Sequence, residues 1–325
     1  MARRVLVTGG SGFIGSHLVR ALAARGDAVL NVDVAPPVAA AERRHWAAVD
    51  LLDLPALTRA AADFRPDIVF NLAAIADISL AYDQMLANTE GVRNLLTAAA
   101  ILPRPRLIHA STQLVVRPGY SPSGPADWAP YTVYGETKAE SERILWGEGE
   151  GFVWTILRPT TVWGPGHPTF AKSTWKYLNR RWYLLPTGSD PLRSYGYVAN
   201  VVGQLLAAAD LEENKAARRV FYVGDEPMPL AQWLDAFSRA LTGKPTRRIP
   251  GAALKAVATI GEFSGRIGGP SPINLGRLYR LTTDYPVPMA PSIEALGKGP
   301  VSLAEGVGRT VDWLKQIMPH EYGRP

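Results

Sequence analysis

Residues 8 to 15 run Thr-Gly-Gly-Ser-Gly-Phe-Ile-Gly, directly after the apolar Val5-Leu6-Val7 and directly before a helix-forming stretch over 16–25. Glycines at this spacing between a strand and a helix suit one geometry. Gly9 permits a tight turn, Gly12 lets backbone touch a pyrophosphate, and Gly15 lets the helix pack close to the strand. Alone, the pattern also fits an ordinary glycine-rich turn. A second apolar run, Ala28-Val29-Leu30-Asn31-Val32, ends in Asp33, about 20 residues past the glycines, where a carboxylate can grip the ribose hydroxyls of an adenosine. Strand, turn, helix, strand and acid together describe a dinucleotide site.

The rest of the first half keeps alternating short apolar runs with helical stretches, the pattern of parallel strands joined by crossover helices. A short run ends at Asp50, and a helix is predicted over 55–64. A buried strand over 67–74 leads into small residues, and a long helix over 84–101 carries Val92, Leu95, Leu96 and Ala99 on one face. Arg106 to Ser111 reads as the next strand, a loop with four prolines fills 118–130, and a helix follows over 131–146. Phe152 to Leu157 is a further strand. Beyond Pro159 the texture shifts to Trp, Tyr, Arg, Gly and Pro, with a helix over 197–209 and a strand over 220–225 returning to the core. The fold class expected is α/β: a Rossmann doubly wound parallel sheet with a smaller, mixed C-terminal substrate lobe. Residues 1–158 and 196–225 form the nucleotide domain in this reading, and 159–195 and 226–325 the lobe.

Composition narrows the chemistry. The 325 residues include no cysteine, which excludes disulfides, thiolate nucleophiles and cysteine-ligated metals and suits a reducing cytoplasm, the expected location. Five histidines are dispersed without paired spacing, so no metal site is expected. The 35 basic against 29 acidic residues slightly favour anionic ligands, but the arginines fall in scattered pairs rather than in one stripe with interleaved aromatics, so no nucleic-acid face is expected. The apolar run at the start is too short for a signal peptide. No stretch approaches the roughly 20 apolar residues of a membrane span.

Tyr134 and Lys138 stand at i and i+4 on the predicted helix after the proline-rich loop, so their side chains share a face. A free phenol titrates near about 10; a fixed ammonium beside it, with a cationic oxidised nicotinamide, can lower it by several units. As a bare pair this is common on helix surfaces. Here Ser111-Thr112 also sits at the C-terminal end of a predicted strand, the edge where open α/β sheets bind ligands, so a hydroxyl can hold a reacting oxygen while Tyr134 exchanges its proton.

With these residues in place, the chain resembles the extended short-chain dehydrogenase/reductase family, the NAD-dependent epimerases and dehydratases. The likeness runs nearly end to end: the glycine turn, Asp33, Asp50-Leu51, Asn71-Leu72-Ala73-Ala74, Asn88 to Leu96, Ser111-Thr112, Tyr134 to Lys138, Leu157-Arg158-Pro159, Trp163 to Gly166, Tyr197 to Val201, and Leu303 to Leu314. By that resemblance Thr112, Tyr134 and Lys138 are catalytic, with Lys138 also holding the nicotinamide ribose. It implies that the cofactor NAD is bound by Gly9, Gly12, Phe13, Ile14, Gly15, Asp33, Asp50, Leu51, Leu72, Ala73, Ala74, Asn88, Tyr134, Lys138 and Pro159. Asp33 implies NAD over NADP, since a carboxylate repels a 2′-phosphate. Ser79, Thr112, Thr161, Arg193 and Arg280 are the implied substrate contacts, with Asp284 beside the last, and a homodimer packing the 84–101 and 131–146 helices is expected.

The departures from the family's pattern carry information. Its sugar-nucleotide 4,6-dehydratases follow the catalytic Thr with Asp and Glu; Gln113-Leu114 stand here and cannot do that proton work, so dehydration is not expected. Sugar epimerases often carry an Asn where Thr160-Thr161 lie. The segments 160–168 and 221–227 resemble the 3β-hydroxysteroid dehydrogenase branch. The leading expectation is an NAD-dependent epimerase of a nucleotide sugar, at C4. The alternatives are a net dehydrogenase or reductase of a sugar or cyclic secondary alcohol, and a non-catalytic NAD sensor. His167 is read as a loop histidine without a catalytic role.

Overall fold

The computed structural model describes residues 2–266 and 275–323. Two compact units are formed, one from Met1–Thr161, Val198–Gly224 and Pro288–Gly299, the other from Val162–Tyr197, Asp225–Val287 and Pro300–Pro325.

The first unit is built on a seven-stranded sheet. Its strands are β1 (Arg4–Thr8), β2 (Ala28–Asp33), β3 (Trp46–Ala48), β4 (Ile68–Asn71), β5 (Arg106–Ala110), β6 (Val153–Pro159) and a last strand, Arg219–Val223. From one edge the order is Arg219–Val223, β6, β5, β4, β1, β2, β3, and every neighbouring pair is parallel. Such strands need crossovers, which α1 (Phe13–Ala24), α2 (Leu54–Phe64), α3 (Glu90–Ala99), α4 (Val133–Glu148) and the helix Val198–Asp210 supply. The chain runs outward from β1 through β2 to β3, then returns to β4 on the other side of β1. That reversal opens a crevice at the C-terminal ends of β1 and β4, the place where open α/β sheets bind ligands.

Leu6, Val69, Leu107 and Ile156 from the strands meet Leu57, Val92, Leu95, Leu96, Ile144 and Leu145 from α2, α3 and α4 in one buried core. The apolar face expected over 84–101 is present, but the helix is broken. A 3-10 turn over Tyr82–Asn88 gives way at Thr89, whose φ of −120° and ψ of −72° are not helical, and α3 starts afresh at Glu90. The break follows from Asn88, which spends its amide on tertiary partners described below.

Segment Pro288–Gly299 belongs to the first unit, whereas the sequence reading gives it to the lobe. Gln204, buried on the helix Val198–Asp210, explains the attachment. Its amide accepts from the Gly224 N–H at 2.7 Å and donates to the carbonyls of Gly224 at 3.0 Å and Gly297 at 3.3 Å.

The second unit replaces long strands with short ones. Leu192–Arg193 pairs antiparallel with Met228–Pro229, and Leu184–Pro186 pairs parallel with Arg247–Ile249. Its core is aromatic. Trp233 stacks on Tyr195 with centroids 4.6 Å apart and meets Phe237 at 4.8 Å, and Trp163 packs on Phe237 at 5.3 Å and on Tyr197 at 5.0 Å. Offset and edge-to-face packing of this kind stabilises a core that strand pairing does little to hold. Among the described residues no helix is long and apolar enough to cross a membrane.

Candidate active site

At the C-terminal end of β1 the chain turns at Gly9, whose φ of +70° is costly for any residue with a Cβ. A Cβ there would lie 2.6 Å from the Ala73 backbone, and one at Gly15 would lie 2.1 Å from the Gly9 carbonyl oxygen. Both glycines therefore let α1 and the loop after β4 close on the turn. Gly12 is the N-cap of α1 and brings no side-chain cap to it, and a helix N-terminus of this kind is where an anion can bind. Phe13 and Ile14 form its first turn. Gly10, which the sequence reading passes over, lies against the buried Asn31 side chain, and Asn31 Nδ2 donates to Ser11 Oγ at 3.1 Å.

Asp33 ends β2 beside this turn. Its Oδ2 accepts from the Ser11 N–H and its Oδ1 from the Ala35 N–H, each at 3.0 Å, and each oxygen retains a further lone pair. Asp50 is exposed and bonds the Leu52 N–H, while Leu51 is buried and its carbonyl accepts from Asn94. Leu72 and Ala73 are tied to Thr8, through its carbonyl at 3.1 Å and its Oγ1 at 3.2 Å, and exposed Ala74 follows. Asn88 is buried, accepts from the Ile75 N–H at 2.8 Å, and donates to the Ile75 carbonyl at 3.0 Å and to Thr137 Oγ1 at 2.9 Å. Its amide thus shapes the loop after β4 and ties it to α4. Pro159 closes β6, buried. The turn, the uncapped helix end and Asp33 fit a dinucleotide.

Thr112 is buried just past the end of β5 and caps a 3-10 turn over Gln113–Val115, accepting from the Leu114 N–H at 3.3 Å. Thr132 caps α4 through the Gly135 N–H at 2.9 Å. A Cβ on Gly135 would lie 2.5 Å from the Leu114 carbonyl oxygen, so this glycine sets how closely the first turn of α4, which carries Tyr134, meets the turn that follows Thr112. Thr161 Oγ1 accepts from Gln113 Nε2 at 3.2 Å. Ser79 is exposed and bonds Asp77 at 2.6 Å. In the second unit, Arg193 donates to the Arg280 carbonyl and Asp284 accepts from the Leu192 N–H at 2.7 Å; these two candidate regions are therefore brought together.

Burial changes the acid–base expectation. Tyr134 is half-buried, and burial pushes its phenol up to about 12. Lys138 is 1% exposed, and burial pulls its amine down to about 8, against the upward pull of Glu142. Burial thus acts on both groups against the expectation, raising the phenol rather than lowering it. Three residues missed at the sequence level, His109, Ser141 and Glu142, lie around the pair. His109 Nε2 lies 3.4 Å from Lys138 Nζ and 3.0 Å from Ser141 Oγ, and Asn71 Nδ2 bonds His109 Nδ1 at 3.1 Å. Glu142 is fully buried and bidentate to Arg158, at 2.9 and 2.6 Å, and also accepts from Ser111 and Trp128. For His109 the signal was a polar residue inside the apolar run of β5, which identifies burial but not role; Ser141 and Glu142 sit in a polar helical stretch that gave no such signal.

His167 supports its loop. Its Nδ1 accepts from the Thr169 and Phe170 N–H groups at 3.2 and 3.1 Å, its ring stacks on Phe170, and burial pushes the imidazole down to about 4.

A doubly wound parallel sheet carrying a glycine turn at its switch point defines a dinucleotide-binding α/β protein. The chain belongs to the NAD dependent epimerase/dehydratase family, whose model matches residues 5–224, and NAD is its cofactor. It is 30% identical over 292 residues to a 3 beta-hydroxysteroid dehydrogenase/Delta 5-->4-isomerase of Mycobacterium tuberculosis, covering 83% of this chain and 78% of that protein. A probable UDP-glucuronate 4-epimerase of Rhizobium meliloti is 26% identical over 345 residues, covering 96% and 97%. Among solved structures, Thermus thermophilus UDP-glucose 4-epimerase in complex with NAD matches with a TM-score of 0.70 at 26% identity, covering 96% of this chain and 99% of that one. The Thermotoga maritima UDP-glucose 4-epimerase, with a TM-score of 0.75 at 23% identity, shares the fold over 97% and 99%.

Proposed function

We propose that the chain interconverts a secondary alcohol and its ketone, with NAD exchanging at each turnover. Bound NAD supplies the hydride acceptor or donor. Tyr134 Oη takes the hydroxyl proton in oxidation and returns it in reduction, Thr112 Oγ1 holds the reacting oxygen, and Lys138 lends positive charge to the phenolate as it forms. The observation that supports this most is Lys138, buried one helical turn after Tyr134 on a helix that Gly135 brings against the turn following Thr112. A buried amine without a paired carboxylate of its own is expensive to keep, and acid–base work is a reason to keep it.

The substrate class favoured is a bulky, mostly apolar ring or alkyl alcohol rather than a nucleotide sugar. Thr161 stands where epimerases often carry a diphosphate-binding Asn, and its hydroxyl is engaged by Gln113. Arg193, the candidate for a nucleotide's phosphates, spends one guanidinium N–H on the Arg280 carbonyl. The dehydrogenase named above matches at higher identity than the epimerase of Rhizobium meliloti. A second reading, a nucleotide-sugar 4-epimerase, is favoured by that epimerase's coverage of both chains nearly end to end.

Incubation of the purified protein with NADH and a panel of cyclic and alkyl ketones, in parallel with UDP-sugars and NAD, separates the readings. Net NADH consumption on a ketone is the expected result. Isomerisation of a UDP-sugar with no net change in cofactor would establish the second reading, and neither reaction on a broad panel would count against both.

A further inference from the structure

A buried polar line runs beneath the candidate site, and the direction of its protons can be traced from both ends. At one end, Thr8 Oγ1 accepts the Ala73 N–H at 3.2 Å, which leaves its hydroxyl hydrogen for Asn71 Oδ1 at 2.6 Å. That contact turns the Asn71 amide so that Nδ2 faces His109 Nδ1 at 3.1 Å, and Nδ1 must therefore accept. At the other end, Ser141 Oγ donates to the Lys138 carbonyl at 2.7 Å, which leaves its oxygen to accept from His109 Nε2 at 3.0 Å. Both ends require the imidazole proton on Nε2. Lys138 Nζ lies 3.4 Å from that same nitrogen. With its one hydrogen given to Ser141, Nε2 has no lone pair for an ammonium, which has only donors and would lie beside the positive end of the N–H; a neutral amine suffers less from that contact.

We propose that His109 is a positioning residue for Lys138: a neutral imidazole, fixed with its proton on Nε2 and donating it to Ser141, that offers the lysine no acceptor and disfavours its charged form. The groups around the pair agree. From β1 and β4 come the neutral Thr8 and Asn71, and from α4 come Tyr134, Ser141 and Glu142, the last already occupied by Arg158 of β6, by Ser111 and by Trp128. Burial holds the His109 imidazole well below its usual range, with Lys138 adding to the effect. In turnover, which rests on the alcohol–ketone reading, His109 would set the alkaline limit above which Lys138 no longer lends charge to Tyr134.

NMR of the imidazole nitrogens and of the lysine side chains tests this in the full chain without any turnover. The expected result in the parent protein is a His109 ring with bare Nδ1 and protonated Nε2 that does not titrate between about pH 5 and 9. In His109→Phe the Lys138 midpoint should rise by about one unit or more, a tenfold gain in proton affinity, and the alkaline limb of the kcat profile should move up with it. His109→Gln, which restores an N–H, should bring both back toward the parent. A proton on Nδ1, a ring that titrates in that window, or an unshifted Lys138 in folded His109→Phe overturns the proposal. Should His109→Phe not fold, the parent tautomer still decides. Turnover retained in Tyr134→Phe would remove the functional reading and leave this one standing.

Discussion

One face of α4 buries two charged residues a single turn apart and treats them in opposite ways. Glu142 is 0% exposed, and its two oxygens receive Arg158 in a bidentate pair together with Ser111 and Trp128. Lys138, 1% exposed, has a neutral imidazole at 3.4 Å and, among the described residues, no ion pair of its own, Glu142 acting on it from a distance. Full compensation locks a charge in one protonation state and fixes the elements around it; here it fastens the proline-rich loop to α4 and β6, because Arg158 also donates to the Pro125 carbonyl at 2.7 Å. Partial compensation leaves a charge that can be given up. The first arrangement suits a scaffold and the second suits chemistry, and the helix carries the scaffold group directly behind the reactive one.

The largest effect should come from breaking the compensated pair. Arg158→Leu strands the Glu142 carboxylate, and unfolding by urea should show a loss of about 3–5 kcal/mol; replacing both partners by Leu and Met should cost less than that single change. If the single substitution is nearly neutral, the pair is not the lock described. Lys138 should behave in reverse. Its folded amine titrates near 8 against 10.5 for the unfolded chain, so between those values the unfolded state binds more protons and stability rises with pH. Lys138→Met should therefore be more stable than the parent by about 3 kcal/mol near pH 7, and the gap should close as pH is raised through that window. A constant gap would mean that the amine is not held low.

Smaller effects sharpen the contrast. Gly135→Ala places a Cβ 2.5 Å from the Leu114 carbonyl oxygen, and the displaced turn should lower kcat about tenfold while NAD affinity stays close to the parent's. An equal loss of NAD binding would show that the glycine serves the nucleotide instead. At the surface, Arg93 bridges Glu90 at 2.8 Å, Glu140 at 3.7 Å and Glu148 at 3.0 Å. Such pairs are screened by water, so Arg93→Ala should cost less than about 1 kcal/mol and the cost should fade in high salt.

These contrasts also mark what could be read from the chain itself. The strands, the glycine turn and Asp33 were legible because each follows a local rule: period, φ preference or a fixed spacing. Tyr134 and Lys138 were legible as a pair because a helix places i and i+4 on one face. The state of that pair was not, since the pKa values depend on burial under strands distant in sequence. The break at Thr89 was hidden for the same reason: Asn88 bonds Ile75 and Thr137, and nothing nearby in the chain announces those partners. His109 read as one more residue of a strand. The second unit stayed opaque because strands of two or three residues carry too little periodicity, and aromatic packing has no period at all. The dimer expected through the 84–101 and 131–146 helices remains a proposal for light scattering.

The most direct test follows the hydride. The parent protein and Tyr134→Phe would each be given NADH deuterated at its transferable position and the best ketone from the panel, with NAD binding measured alongside. The account predicts deuterium on the carbinol carbon of the parent's product, and none from Tyr134→Phe despite NAD binding close to the parent's. Deuterium transfer by Tyr134→Phe at a rate near the parent's would contradict it.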